Sequence, residues 1–423
     1  VNGCKAFRGD FPILDNHTFV CYTASIKRGA ISINNFEFHS PTRVVFGAGT
    51  HKQIGKITAS YGFKRVFLHY GGGSIKKTGL YDEVTGALRD NGVDFIELGG
   101  VQPNPTLSFV RQGIEMVRAY NADLVLAVGG GSAIDSAKAI AVGAKNDGDI
   151  WRFFMKEDSP IDALPMATIL TLSATGSEMS SSAVITNETL NLKRGYNSRF
   201  HRPLFSILNP ELTYTLPPYQ TACGIVDIMM HTIERYMTFP GEAELTDRIA
   251  EQLLKTVIAA GKTAMRDPND YDARANLMWA GSLSHNDLTG CGRDFFMASH
   301  QIEHEVSGMF PEVAHGAGLA VIFPKWARYV LPSNIARTAQ YAVRVWNCEM
   351  NFARPERTAL EGIERTEEYF KSIGMPSTLG EFGITADAIP EMARKCTNYG
   401  KRTLPGVVTL DEKEIAEILT MCL

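Results

Sequence analysis

The chain has 423 residues, 44% of them hydrophobic and 21% charged, with a formal net charge of −4. This is globular composition, with enough apolar material for two or three cores. The interspersed, slightly acidic charge excludes a basic field for nucleic acid or anionic lipid, and no apolar run reaches the roughly 18 residues of a membrane-spanning helix.

Residues 1–32 show neither helical nor strand periodicity and lack the apolar core and cleavage site of a signal peptide. They read as an extension, disordered or non-native, outside the folded part. From Ile33 to about Leu212 strand-like and helix-like units alternate. KRVFLHY (64–70) is an apolar run ending in glycines, and TGLYDEVTGALRDNG is an amphipathic helix with a glycine stop. VDFIELGG is a second strand and LSFVRQGIEMVRAYNA a second helix. DLVLAVGGGS is a third strand, apolar throughout and so buried on both faces, followed by the helix SAIDSAKAIAVGA; PMATILTL is a fourth strand. The alternation predicts a mostly parallel sheet with right-handed crossovers.

Near Pro210 the pattern changes to helix after helix, and Pro217 and Pro218 stand where a helix can start. The expected organisation is a Rossmann-like α/β dinucleotide-binding domain over 33–210 and an all-α metal-binding catalytic domain over 211–423.

Two glycine triplets follow predicted strands: Gly71-Gly72-Gly73-Ser74 and Gly129-Gly130-Gly131-Ser132. Glycines there let backbone amides approach a phosphate, and the following helix adds partial positive charge. Neither completes GxGxxG, because Lys76 and Ile134 occupy the last glycine position. Their placement at successive carboxyl edges of one parallel sheet is nonetheless where such folds bind nucleotides. A hydroxyl-rich loop, TLSATGSEMSSS (171–182), follows the fourth strand. HYGGGSIKKTG has no carboxylate for a ribose diol; Ser74, Lys76 and Lys77 suit a 2′-phosphate, which predicts NADP(H) rather than NAD(H).

Of ten histidines, His231, His300, His304 and His315 stand in ligand-like contexts. Asp227 and His231 lie four apart in GIVDIMMHTIERY, as do His300 and His304 in ASHQIEHEVSG, and each pair falls on one helix face. His315 follows in AHGAG, read as a glycine turn. Five candidates exceed the four a single site needs, and spacing alone leaves the odd one undecided. The remaining histidines, His285 among them, show no such context, and Glu234 and Glu305 lie near the pairs. Such O/N ligation suits Fe(II) or Zn(II), and an ion with an open position is a Lewis acid for a carbonyl oxygen. Seven cysteines without a CxxC pair read as reduced thiols of a cytoplasmic protein and argue against a thiolate-bound zinc site.

These segments together resemble the iron-containing (group III) alcohol dehydrogenases. FEFHSPTRVVFGAGT, GGGSAIDSAKAIA, TLSATGSEMSSSAVIT, GIVDIMMHTIERY and ASHQIEHEVSGMFPEVAHGAGLA carry the likeness, from about residue 33 to the C-terminus. YGGGSIKKTG is most similar to the NADP-dependent butanol dehydrogenase and aldehyde reductase branch. Position by position, the resemblance implies Asp227, His231, His300 and His315 as metal ligands and His304 as the catalytic-site histidine beside nicotinamide and substrate. It implies Gly71, Gly72, Ser74 and Lys77 at the adenosine-phosphate loop and Gly129, Gly130, Gly131, Ser132 and Asp135 at the pyrophosphate. Thr171, Thr175, Ser177 and Lys193 would line the cofactor cleft. The expected activity is metal-dependent NADP(H) interconversion of primary, butanol-like alcohols and short to medium aldehydes, by a homodimer paired through an N-terminal strand. A zinc- and NAD-dependent glycerol dehydrogenase-like enzyme, a dehydroquinate-synthase-like lyase and a nucleotide sensor with a structural metal are the rivals. Trp151, Phe153, Phe154, Phe295 and Phe296 stand near the motifs as lining for an apolar slot, with core packing the alternative.

Overall fold

Short runs of branched aliphatic residues build the sheet at the centre of the N-terminal half. The structure is a computed structural model and describes residues 33–238 and 243–423; the expectation for residues 1–32 lies outside the described residues. The strands are β1 (Arg43–Phe46), β2 (Arg65–Gly71), β3 (Asp94–Val101), β4 (Leu124–Gly129), β5 (Met166–Leu170), β6 (Ser182–Asn187), β7 (Leu192–Asn197) and β8 (Phe205–Leu208). Six form one sheet in the order β1-β8-β5-β4-β2-β3, every neighbour parallel.

β4 (LVLAVG) is buried along its whole length, as its unbroken apolar character predicts. Its side chains alternate between the two faces: Val125 and Ala127 pack under the helices Leu107–Tyr120 and Gly131–Lys145, and Leu124, Leu126 and Val128 under Ile54–Ser60 and Leu80–Asp90. All four strands read from the sequence are present.

The sequence reading missed β1, β8 and the antiparallel hairpin β6–β7. β1 and β8 have four residues each, too few to display a period. β7 (LKRGYN) is polar, and Asn191 takes a left-handed backbone (φ 48°) at the hairpin turn. The hairpin reaches the helical half: Lys193 bonds Ser307, and Arg194 bonds Glu305. Phe153 and Phe154 are core residues rather than slot lining, packed against Tyr196 of β7 with Trp151 stacked on Phe154.

From Pro218 onward the regular elements are helices, beginning with Pro218–Tyr236, Glu244–Arg266 and Tyr271–Ser284, and continuing with Ala298–Met309 and His315–Val330. Their apolar stripes share one core that runs from Ala222 to Cys422. No helix among the described residues is long and apolar enough to cross a membrane.

Three histidines are buried in the α/β half, His51, His69 and His201. His69 on β2 donates from Nδ1 to the Leu98 carbonyl (2.9 Å), and its Nε2 lies 2.8 Å from Ser136 Oγ. Burial pushes His69 down to about 4; burial, aided by the Lys138 cation, pushes His201 down to about 3. An unfolded imidazole titrates near ~6.5, so below that pH the unfolded chain binds protons that the folded chain refuses. The contribution of both groups to stability is therefore full above pH ~6.5 and is lost as pH falls toward their folded values. Urea midpoints should drop between pH about 7.5 and about 5.5, and the drop should be smaller in a His201→Gln protein; an equal drop in that variant would remove His201 from the account.

Candidate metal and dinucleotide site

Parallel strands end on one edge, so the loops after β2, β4 and β5 lie side by side. A Cβ added to Gly72 or Gly73 would meet no atom within 4 Å. Packing within the chain does not demand glycine there, and the open space suits close approach of a ligand to the backbone. After β4 the chain enters the 15-residue helix Gly131–Lys145, whose positive end opens at Gly130 and Gly131. Ser132 lies half-buried on its first turn.

Asp135 points back into the protein: Oδ1 accepts from Ser177 Oγ (2.5 Å) and Oδ2 from the Val184 amide (3.0 Å). Asp135 and Ser177 thus bind each other and lock loop 171–182 and β6 onto the helix. Thr171 donates its amide to the Gly129 carbonyl (3.0 Å), and Thr175 Oγ1 accepts from the Ser177 amide (3.1 Å).

At the first loop Ser74 and Lys77 are exposed. Lys76 is engaged: its Nζ lies 3.6 Å from Glu97 Oε1 and over the Tyr81 ring. A carboxylate therefore does approach this loop, from β3, where the loop's own sequence shows none.

The helix Pro218–Tyr236 presents Asp227 and His231 one turn apart, and Ala298–Met309 presents His300 and His304. His315 is the first residue of the helix His315–Val330 rather than part of a turn. Gly316 and Gly318 serve close packing, since a Cβ at Gly316 would fall 2.1 Å from the Cys223 carbonyl oxygen and one at Gly318 2.8 Å from Glu303 Cγ.

Around Asp227 Oδ1 stand His231 Nδ1 at 3.5 Å, His300 Nε2 at 3.7 Å and His315 Nε2 at 3.8 Å. Ligands about 2.1 Å from a tetrahedral ion are separated by about 3.4 Å; ligand atoms of Asp227, His300 and His315 lie within 4.8 Å of one another and fit one divalent cation, while His231 stands outside that mutual set and approaches it through Asp227. Asp227 Oδ1, His231 Nδ1 and His300 Nε2 are buried and have no hydrogen-bond partner. Orphaned buried polar atoms are costly, and a cation beside Asp227 would give these atoms a partner. Burial holds His231 well below the ordinary imidazole range, keeping a nitrogen lone pair available.

Two acids set the other faces of the rings. His300 Nδ1 bonds Glu234, which also accepts from the Ser299 amide (2.6 Å), and His315 Nδ1 bonds Glu303. Each carboxylate fixes the tautomer and turns the far nitrogen toward Asp227. Burial pulls His300 down, but Glu234 and Asp227 outweigh it and lift it to about 9. Lys193 lies among these groups, its Nζ 2.9 Å from Ser307 Oγ and 3.5 Å from both Glu303 Oε2 and His315 Nδ1. Glu305, two positions after Glu303, turns away to Arg194 (2.8 Å).

His304 stands 5.5 Å from His315 between ring centres, beneath Gly195 of the hairpin, and burial followed by the Lys193 cation holds it well below the ordinary range. A neutral imidazole beside a Lewis-acid site can relay a proton.

Two residues escaped the sequence reading. Glu303 sits three positions from His300, but only the fold brings it to His315. His285 lies in the SLSHNDL turn after the helix Tyr271–Ser284, where no periodicity marks it. Its ring stacks on His231 with centroids 4.0 Å apart, and its Nδ1 donates to the Thr175 carbonyl (2.8 Å).

The profile of the family described as iron-containing alcohol dehydrogenase matches residues 41–210, and that of the Fe-containing alcohol dehydrogenase family, C-terminal, matches residues 221–423. The chain is 44% identical over 385 residues to NADH-dependent butanol dehydrogenase A of Clostridium acetobutylicum, a match that spans 91% of this chain and 98% of that protein. It is 38% identical over 379 residues to NADPH-dependent aldehyde reductase YqhD of Escherichia coli, spanning 88% and 95%. The crystal structure of NADH-dependent butanol dehydrogenase A from Thermotoga maritima superposes with a TM-score of 0.89 at 37% identity, covering 93% of this chain and 100% of that one.

The carboxylate–imidazole pairs make a separate prediction. Glu234→Gln and Glu303→Gln should each weaken Zn(II) affinity roughly 10- to 100-fold while leaving the fold intact. Competition with a chromophoric chelator measures this; unchanged affinity in both would deny the acids their orienting role.

Proposed function

This chain belongs to the iron-containing alcohol dehydrogenase family, and from that premise we propose that it is a metal-dependent NADP(H) oxidoreductase interconverting butanol-like primary alcohols and short to medium aldehydes. The observation that carries the reading is the set of buried, unpartnered ligand atoms of Asp227, His231 and His300, with His315 beside them. When bound, the nicotinamide supplies or accepts the hydride and the divalent ion, Fe(II) or Zn(II), supplies Lewis acidity to the carbonyl oxygen.

The residues divide the remaining work. Gly71, Gly72, Gly129, Gly130, Gly131 and Ser132 receive the phosphates through backbone amides, and Asp135 and Ser177 hold those loops in register. Asp227, His231, His300 and His315 hold the ion, oriented by Glu234 and Glu303. Lys193 neutralises Glu303 and braces the hairpin over the site. His304 takes or returns the hydroxyl proton at its imidazole nitrogen.

NADP(H) is favoured by Ser74 and Lys77, both exposed at the adenosine loop. A second reading, NAD(H), is favoured by Glu97, whose carboxylate occupies Lys76 and keeps Oε2 without a partner. The relatives' names divide the same way, NADH for the Clostridium protein and NADPH for the Escherichia coli one.

Further proposals are a homodimer and a cytoplasmic location. The edge strand β1 and its exposed neighbours Phe36 and Phe38 support pairing with a second copy. Free thiols at Cys223, Cys291, Cys348, Cys396 and Cys422 support a reducing compartment.

Loss of 340 nm absorbance with NADPH and butanal tests the activity, and His300→Ala should lose both bound metal and turnover. A His300→Ala protein with wild-type metal content and rate would overturn the assignment. For cofactor choice, kcat/KM should favour NADPH over NADH, and Lys77→Ala should erase that preference; comparable values with both cofactors in the wild type would select the NAD(H) reading.

A further inference from the structure

Loop 171–182 is wedged between the two halves of the site, and three glycines show how tightly. A Cβ on Gly131 would sit 2.5 Å from Thr175 Cγ2, so the pyrophosphate loop rests directly on Thr175. Gly176 has a left-handed backbone (φ 62°), and a Cβ there would lie 2.5 Å from the Gly281 carbonyl oxygen and 2.8 Å from His285 Cβ. A Cβ on Gly224, one turn before Asp227, would lie 2.2 Å from the Ser173 carbonyl oxygen. The Gly176 and Gly224 contacts are with backbone and cannot shift without moving it, and the Gly131 contact is with the Thr175 side chain.

His285 closes this path at the metal end. Its Nδ1–H bonds the Thr175 carbonyl at 2.8 Å, and its ring covers His231 at 4.0 Å with the planes inclined by 27°. The guanidinium of Arg235, itself buried, donates to the His231 backbone carbonyl. The imidazole that should face the ion is therefore positioned by a residue tied to the loop that contacts Gly131. The continuous chain is Gly131, Thr175, His285, His231.

We infer that His285 is a positioning residue that couples occupancy of the metal site to occupancy of the dinucleotide loops. The inference rests on the reading of these two sites given above. Movement of Thr175 as the loops close on a pyrophosphate is transmitted through the Nδ1 hydrogen bond to the ring that sets His231, and an ion fixing His231 holds Thr175 in return. Linkage requires the effect to be reciprocal: the factor by which the ion tightens the nucleotide equals the factor by which the nucleotide tightens the ion.

The test is a square of binding measurements on the full chain stripped of metal with EDTA. NADPH is titrated by its fluorescence with and without saturating Zn(II), and Zn(II) is titrated against a chelator with and without NADPH. Wild type should show mutual tightening of roughly fivefold or more, equal in both directions. His285→Phe keeps a flat ring against His231 but has no donor for Thr175; both ligands should still bind while the coupling ratio falls toward one. His285→Asn, which loses the ring face, should show the same fall. A wild-type ratio of one, or a folded variant with the wild-type ratio, would overturn the coupling while leaving the sites in place. Failure of wild type to bind either ligand would overturn the proposed function with it.

Discussion

The helical half is organised around a local electrostatic problem: three imidazoles each brought within four ångströms of one buried carboxylate, that of Asp227. Desolvating such groups without partners costs several kcal/mol, far more than any one surface pair returns. The surroundings answer with acids on the outer nitrogens. Glu234 and Glu303 each bond the Nδ1 of one ring, leaving the Nε2 atoms of His300 and His315 turned inward. Without those acids the rings could rotate or choose the other tautomer, and the converging geometry would dissolve into ordinary histidines.

The sheet imposes the complementary constraint. Six parallel strands bring their carboxyl ends to one edge, so three loops separated by tens of residues become neighbours. Asp135 and Ser177 then spend their polarity on each other, which fixes a hydroxyl-rich turn between the loop after β4 and the helix Pro218–Tyr236. The hairpin β6–β7 adds the roof, anchored by Lys193 to Ser307 and by Arg194 to Glu305. This division of labour explains why two acids separated by one residue differ in role: Glu303 faces the site and Glu305 the anchor, because helical residues two positions apart point about 200° apart, to opposite sides.

Much of this was legible before any coordinates. The strands around KRVFLHY and LVLAVG were readable because continuous apolar runs ending in glycine have few other structural uses, and the long helices because their apolar stripes repeat at 3.6 residues. The pairs Asp227/His231 and His300/His304 were visible because four-residue spacing puts side chains on one helix face. Separating His304 from the ligands was beyond spacing and came with the family resemblance. The short strands β1 and β8 and the polar hairpin were not visible, since four residues carry no period and a hairpin that anchors through Lys193 and Arg194 does not look like a core strand.

The sequence by itself determined local conformation and the types of groups available: where helices begin, which faces are apolar, where glycine admits a phosphate, which residues can bind a cation. Tertiary structure alone decided which distant groups meet. His285 reaches His231 across 54 positions and Thr175 across 110, Glu97 reaches Lys76 from a neighbouring strand, and Glu303 finds His315 across a helix boundary. Periodicity reports only the direction of a side chain from its own backbone, whereas these contacts depend on how separate elements pack, which no local pattern encodes.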